Sequence, residues 1–136
     1  MQNKTDIRWI QRFNNFEKAF LFLESSLKKI AVSQLEEAGI VQAYEFTFEL
    51  SWKTLKDFLE LNQVLVQFPR EIIKEAFKYD LIDNGEIWLD MLEKRNLMAH
   101  TYNETNAKLS IFLIRTKYFF QLNKLYLLLK EKLAVC

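Results

Sequence analysis

Apolar residues near the start of the chain recur at Trp9, Phe13, Phe16, Phe20, Leu23, Leu27 and Ile30, in steps that alternate four and three. That alternation is the seam of an amphipathic helix packed nearly parallel to its neighbours. Thr5 or Asp6 can cap its start, and Lys18, Glu24, Ser25 and Lys28 fall on the opposite face. A second helix is predicted from about Leu35 to Leu61, with Val41, Tyr44, Phe48, Trp52, Leu55 and Leu59 on one stripe. Gly39 inside it costs about 1 kcal/mol relative to Ala and marks the place for a break or a late start. Tyr44, Phe48 and Trp52 are assigned to the core. Glu45, Glu49 and Lys53 are assigned to a solvated face, with Glu49 and Lys53 in the favourable ion-pair orientation; a buried stripe would need partners from elsewhere.

Asn62 to Phe68 lacks charge and helical period and reads as the main loop. Pro69 suits the first position of a short helix in which Ile72, Ile73, Ala76 and Phe77 face the packing side. Asp83-Asn84-Gly85 is a strong turn signal, and a further helix begins near Glu86, carrying Trp88, Met91, Leu92 and then Met98 or Ala99. The last helix is predicted from about Asn106 to Leu133, with Ala107, Ile111, Ile114, Tyr118, Leu122, Leu125, Leu129 and Leu133 on one stripe. Phe112, Phe119 and Tyr126 form another stripe, and a helix apolar on two sides must be covered on both. A second copy of the chain is the expected cover. The predicted fold is all-α: one domain over residues 1–136, an antiparallel up-down bundle of four helices with an extra short one, dimeric.

Composition narrows the function. Half of the 136 residues are hydrophobic and 15% are aromatic, while Gly and Pro number only 2 and 1, which excludes a turn-rich all-β fold. Nineteen basic residues against 18 acidic give a net charge of +1, so affinity cannot come from blanketing a polyanion with positive charge. One Cys and one His exclude a disulfide framework and a Cys/His zinc cluster within the chain. The start lacks a signal-peptide core and no run of 18 apolar residues exists, so a soluble cytoplasmic protein without a membrane partner is expected.

Chemistry concentrates between Glu93 and Glu104, where His100 stands near Arg95, Asn96, Tyr102 and Asn103. An imidazole gives and takes protons near neutrality, and a guanidinium forks onto phosphate without losing its charge. Such a pair suits metal-free RNA cleavage: a base takes the 2′-OH proton, an acid protonates the leaving 5′-oxygen, and Arg stabilises the phosphate. At ~100° per residue, however, Arg95 and His100 lie about 140° apart on one helix. Either the helix ends or kinks between them, or Arg95 reaches around, or two chains pool their residues. The bland alternative is a helix-end histidine, a salt-bridging arginine and a half-buried Tyr102 on a non-catalytic scaffold. Asp80, Asp83, Glu86 and Asp90 are spaced too loosely to mark a metal site.

Arg95-Asn96-x-x-x-His100-x-Tyr102 resembles the R-x4-H-x-Y form of the motif of the HEPN superfamily. YEFTFELSWKTLKDFLE (Tyr44 to Glu60), PREIIKEAF (Pro69 to Phe77) and WLDMLEKRNLMAHTYNE (Trp88 to Glu104) resemble its nucleotidyltransferase substrate-binding protein branch, small four-helix bundles. The resemblance spans nearly the whole chain. It implies a partner, a separate small nucleotidyltransferase of the MNT type that carries Mg²⁺ and a nucleoside triphosphate, with no cofactor on this chain. It also implies a toxin–antitoxin pair, in which this chain is either the substrate-binding component or a dimeric, metal-independent ribonuclease acting on RNA. Carried over, Arg95 and His100 are the catalytic pair, Asn96 binds substrate or orients His100, and Tyr102 is the hydroxyl that the partner adenylylates.

Overall fold

Helix α1 (Lys4–Leu27) buries the predicted seam: Trp9, Phe13, Phe16, Phe20 and Leu23 are all essentially inaccessible. The helix stops at Leu27, so Ile30, predicted to continue the seam, lies beyond it and is exposed. Its end is capped from a distance. Arg115 donates Nη1 to the Leu27 carbonyl (2.5 Å) and Nη2 to that of Lys29 (3.1 Å), satisfying acceptors the terminated helix leaves free. This is a computed structural model, describing residues 4–30, 33–99 and 103–135; all regular elements among them are helical. No helix among the described residues is long and apolar enough to cross a membrane.

Helix α2 (Gln34–Leu61) starts at an N-cap on Ser33, whose hydroxyl accepts from the Glu36 amide. It runs through Gly39 without a break, because the pairing of its apolar stripe with α1 outweighs one unfavourable residue. The two helices are antiparallel: Arg8 pairs with Glu60, Arg12 with Asp57, and the Thr47 hydroxyl reaches the Ala19 carbonyl. Thr47, Ser51 and Thr54 are buried, and each bonds a carbonyl of the preceding turn, the local solution that lets hydroxyls sit inside a helix interface.

Helix α2 ends in the predicted loop with Gln63 in the left-handed region (φ 68°), the Val64 amide bonding the Leu59 carbonyl and that of Gln63 bonding Glu60. Helix α3 (Pro69–Lys78) ends the same way with Asp80 at φ 61°. Both are Schellman ends built without the usual glycine. Ile72, Ile73 and Ala76 of α3 are buried as predicted, but Phe77 is half exposed and lies against Gly85. Asn84 caps α4 (Gly85–Glu93), and a one-turn α5 (Arg95–Met98) follows after a turn at Lys94.

The final helical stretch begins at Asn103, whose side chain accepts from the Thr105 and Asn106 amides, and comprises α6 (Glu104–Leu113), a π-helical turn (Ile114–Tyr118) and α7 (Phe119–Val135). In the π turn the Phe119 amide bonds the Ile114 carbonyl, one residue further back than in an α-helix. The extra residue keeps both halves in phase, so Ala107, Ile114, Tyr118, Leu122, Leu125 and Leu129 all reach the core. The second stripe is not covered as expected. Phe20 stacks on Phe119 (5.3 Å) and on Tyr126 (4.6 Å), Phe13 stacks on Tyr126 (6.0 Å), and Tyr126 donates to Glu17 (2.7 Å). Helix α1 of the same chain therefore covers Phe119 and Tyr126, and only Phe112 of that stripe stays exposed.

Candidate functional site

Lys94 caps α4 with its amide on the Asp90 carbonyl, and its ammonium also reaches Asp90 Oδ1 at 2.7 Å. Asp90 Oδ2 accepts from the Tyr118 hydroxyl at 2.5 Å. The carboxylate thus ties the turn before α5 to the π turn of the last helical stretch. Burial is the largest single influence on Asp90 and pushes its carboxyl up, but the donors from Lys94 and Tyr118 and the nearby lysine charges outweigh it and hold the group below the ordinary aspartate value. Burial, then the bond to Asp90, pushes the Tyr118 hydroxyl far above its usual range, so it remains a donor.

A turn at Lys94 separates α4 from α5, and α5 ends at Met98, ahead of His100, which lies outside the described residues. Arg95 is exposed there and donates Nη1 to Glu49 Oε1 at 3.0 Å. The other Glu49 oxygen accepts from Trp52 Nε1 at 2.7 Å. One carboxylate is therefore pinned by the indole and holds the guanidinium by a single nitrogen, the one hydrogen bond Arg95 makes with its side chain among the described residues. Lys53, the predicted partner of Glu49, lies over the Trp52 ring instead, at 5.7 Å from its centroid. The acidic stripe is accordingly no solvated face: Glu45, Glu49 and Lys53 are half-buried. Trp52 is half-buried as well, so of the three aromatic residues on its stripe only Tyr44 and Phe48 belong to the closed core.

Arg95, Met98 and Ala99 form one wall of a cleft of about 270 Å³, with Tyr44, Glu45, Phe48 and Glu49 of α2 as the other. Tyr44 stacks between Phe48 (6.1 Å) and Tyr118 (5.7 Å). Its buried hydroxyl has no hydrogen-bond partner among the described residues, a debt of about 1–3 kcal/mol for a neutral polar group. Burial, then the neighbouring Tyr118, Asp90, Glu45 and Glu49, raises it well above the usual tyrosine range. Burial, then the charge of Glu49, raises the Glu45 carboxyl.

Of the residues assigned a role from sequence, Arg95 is at this cleft and Asn96 follows it on α5; the Asn96 side chain, His100 and Tyr102 lie outside the described residues. Glu49 and Glu45 are the functional candidates that the sequence reading passed over. Their signal was there in part: two carboxylates one turn apart on α2, on the stripe beside the one that carries Tyr44. Among the described residues no group of three or more metal-ligating side chains is gathered; Asp83 and Asp90 are paired with Lys124 and Lys94. A larger hollow of about 430 Å³ opens near the end of α1, but its Arg115 caps that helix and its Lys108 is paired with Glu37 and Glu104.

A curated protein of Haemophilus influenzae named "Probable ribonuclease HepT" is 26% identical over 129 residues, covering 79% of this chain and 88% of its own. A Thermus thermophilus crystal structure superposes with a TM-score of 0.73 at 27% identity, covering 81% of this chain and 94% of that one. A second solved structure, from Haemophilus influenzae, gives the same TM-score at 24% identity over 87% of this chain and 98% of that one. It is described as revealing the fold of a substrate binding domain of a nucleotidyltransferase. Residues 11–131 match the family described as nucleotidyltransferase substrate binding protein like, and the chain belongs to that family.

Proposed function

We propose that this chain is the substrate-binding subunit of a separate small nucleotidyltransferase, within a toxin–antitoxin pair. The partner holds Mg²⁺ and the nucleoside triphosphate; this chain supplies the phosphate grip and the acceptor. The observation that carries the reading is Arg95 itself: set on its own helical turn, exposed, held at one nitrogen by Glu49, and ahead of His100 and Tyr102 in the sequence. Asn96 orients substrate or imidazole, and the Tyr102 hydroxyl takes the adenylyl group. The working form is a homodimer of antiparallel four-helix up-down bundles, each with an extra short helix. Phe120 and Leu127, seven apart on α7 and both more than half exposed, support a further apolar contact on that helix.

The name of the Haemophilus relative supports a second reading, a metal-independent ribonuclease. There the 2′-oxygen attacks the adjacent phosphorus and loses its proton to a His100 imidazole. The P–O5′ bond breaks, the leaving 5′-oxygen receives a proton from an imidazolium, and Arg95 stabilises the charge on the phosphoryl oxygens. Co-expression with the nucleotidyltransferase encoded next to it, followed by intact mass measurement, tests the first reading. A stable complex and one adenylyl mass on Tyr102, lost in Tyr102→Phe, are expected. Incubating the purified chain alone with RNA tests the second, where cleavage must disappear in His100→Ala. A chain that neither binds that neighbour nor cuts RNA is a scaffold, and both readings fail.

A further inference from the structure

The cleft behind Arg95 contains a carboxylate that neither the motif nor the Glu49 ion pair employs. Glu45 lines it, is half-buried, and has no hydrogen-bond or ion-pair partner among the described residues. Tyr44 lines the same cleft, is 2% exposed, and has an unpartnered hydroxyl. At about 270 Å³ the space falls just under the range of about 300–1,000 Å³ that holds drug-sized ligands. It has room for one planar ring system and not for a longer segment. Phe48, Met98 and Ala99 give it apolar surface.

The charges are arranged unevenly. Two half-buried carboxylates and one exposed guanidinium line the cleft, so an anionic group is repelled by the former and attracted only by the latter. We infer that the cleft receives the base of the nucleotide whose phosphate Arg95 holds, and that Glu45 selects bases bearing an amino group. This rests on the phosphate role of Arg95 proposed above. An ionised carboxylate can accept hydrogen bonds but not donate them. Cytosine and adenine turn an N–H₂ donor outward where uracil has a carbonyl oxygen. An amino group gives Glu45 the partner it lacks, whereas uracil sets oxygen against oxygen in a poorly solvated place. A free nucleoside monophosphate and one unit of a single strand share this chemistry.

Calorimetric titration of the full chain with 5′-CMP and 5′-UMP, and with short oligocytidylate and oligouridylate, tests the inference. The wild type binds the cytosine ligand tighter by about fivefold or more, the lower end of hydrogen-bonded base discrimination. Glu45→Gln, whose amide donates as well as accepts, removes the preference. Arg95→Ala weakens both ligands alike and leaves their ratio unchanged. A preference with the monophosphates assigns a free nucleotide; a preference with the oligonucleotides only assigns a strand. Equal affinity of the wild type for both bases overturns the inference and needs no variant to show it; if Arg95→Ala still weakens binding, the phosphate reading stands. An undiminished preference in Glu45→Gln overturns the role of Glu45. Binding of neither ligand, or binding unaffected in Arg95→Ala, overturns the phosphate reading itself.

Discussion

Replacing Tyr118 by Phe removes one oxygen from a fully buried position and keeps the ring that stacks on Tyr44. What is lost is the 2.5 Å bond to Asp90. Hydrogen bonds to charged groups contribute about 1.5–3 kcal/mol; Asp90 is about a third exposed (32%) and keeps Lys94, so the loss should be near 2 kcal/mol. For a chain of this size each kcal/mol moves the midpoint by about 3–4 °C, giving a fall of roughly 6–8 °C by calorimetry at neutral pH. The effect must depend on pH in one direction. Asp90 is held below its ordinary value in the folded chain, so its contribution is complete above the unfolded aspartate pKa of about 3.9. It is lost as pH falls through the depressed folded value. The gap between wild type and Tyr118→Phe should therefore close below about pH 4. A gap that stays constant from neutral pH into that range, or no gap at all, would refute the claim that the hydroxyl acts through the Asp90 carboxylate.

Arg12→Ala strands Asp57, whose carboxylate is 3% exposed and bound to Arg12 at 2.9 Å; with Arg12 itself a third exposed, a loss of about 2–3 kcal/mol in urea unfolding is expected, below the range for wholly buried pairs. Gln63→Gly relieves a left-handed residue at the end of α2 and should stabilise by about 0.5–1 kcal/mol; a loss would mean the Gln63 side chain contributes more than its backbone costs. The Glu49–Arg95 pair is half exposed, so a double-mutant cycle on stability should give only about 0.2–1 kcal/mol of coupling. Single-strand affinity carried by one arginine should vary with salt at a log–log slope near −0.7. A slope several times steeper would place the anion on a basic tract elsewhere.

Most of the fold was legible because its signal is periodic. The Trp9 to Leu23 seam, the Val41 to Leu59 stripe and the Ala107 to Leu129 stripe each bury the residues they name, except Trp52 and Ile111, which are half-buried. Two things were not legible. A stripe does not say which neighbour covers it, so Phe119 and Tyr126 suggested a second chain when α1 of the same chain lies over them. Nor does local sequence reveal bonds made across the chain. Glu49 has a well-placed lysine four residues on, and by helix rules alone it should take it. It takes Arg95 instead, 46 positions away, because α4 and α5 fold back against α2 and bring a guanidinium to a carboxylate already pinned by Trp52.

That exchange of partners bears on how a nearly neutral chain would grip an anion, as proposed for Arg95. Arg95 brings one positive charge to a cleft holding two carboxylates, so long-range attraction contributes little and the field beyond a screening length of about 8 Å is close to nil. What remains is direction. Glu49 accepts at one guanidinium nitrogen, and a planar fork fixed at one corner presents its other donors at a set angle, with less rotamer freedom left to lose on binding. Affinity obtained this way is modest but selective for a phosphate arriving in one orientation. A subunit that positions a substrate for a second enzyme needs that property, whereas a protein that must hold nucleic acid unaided needs many charges instead.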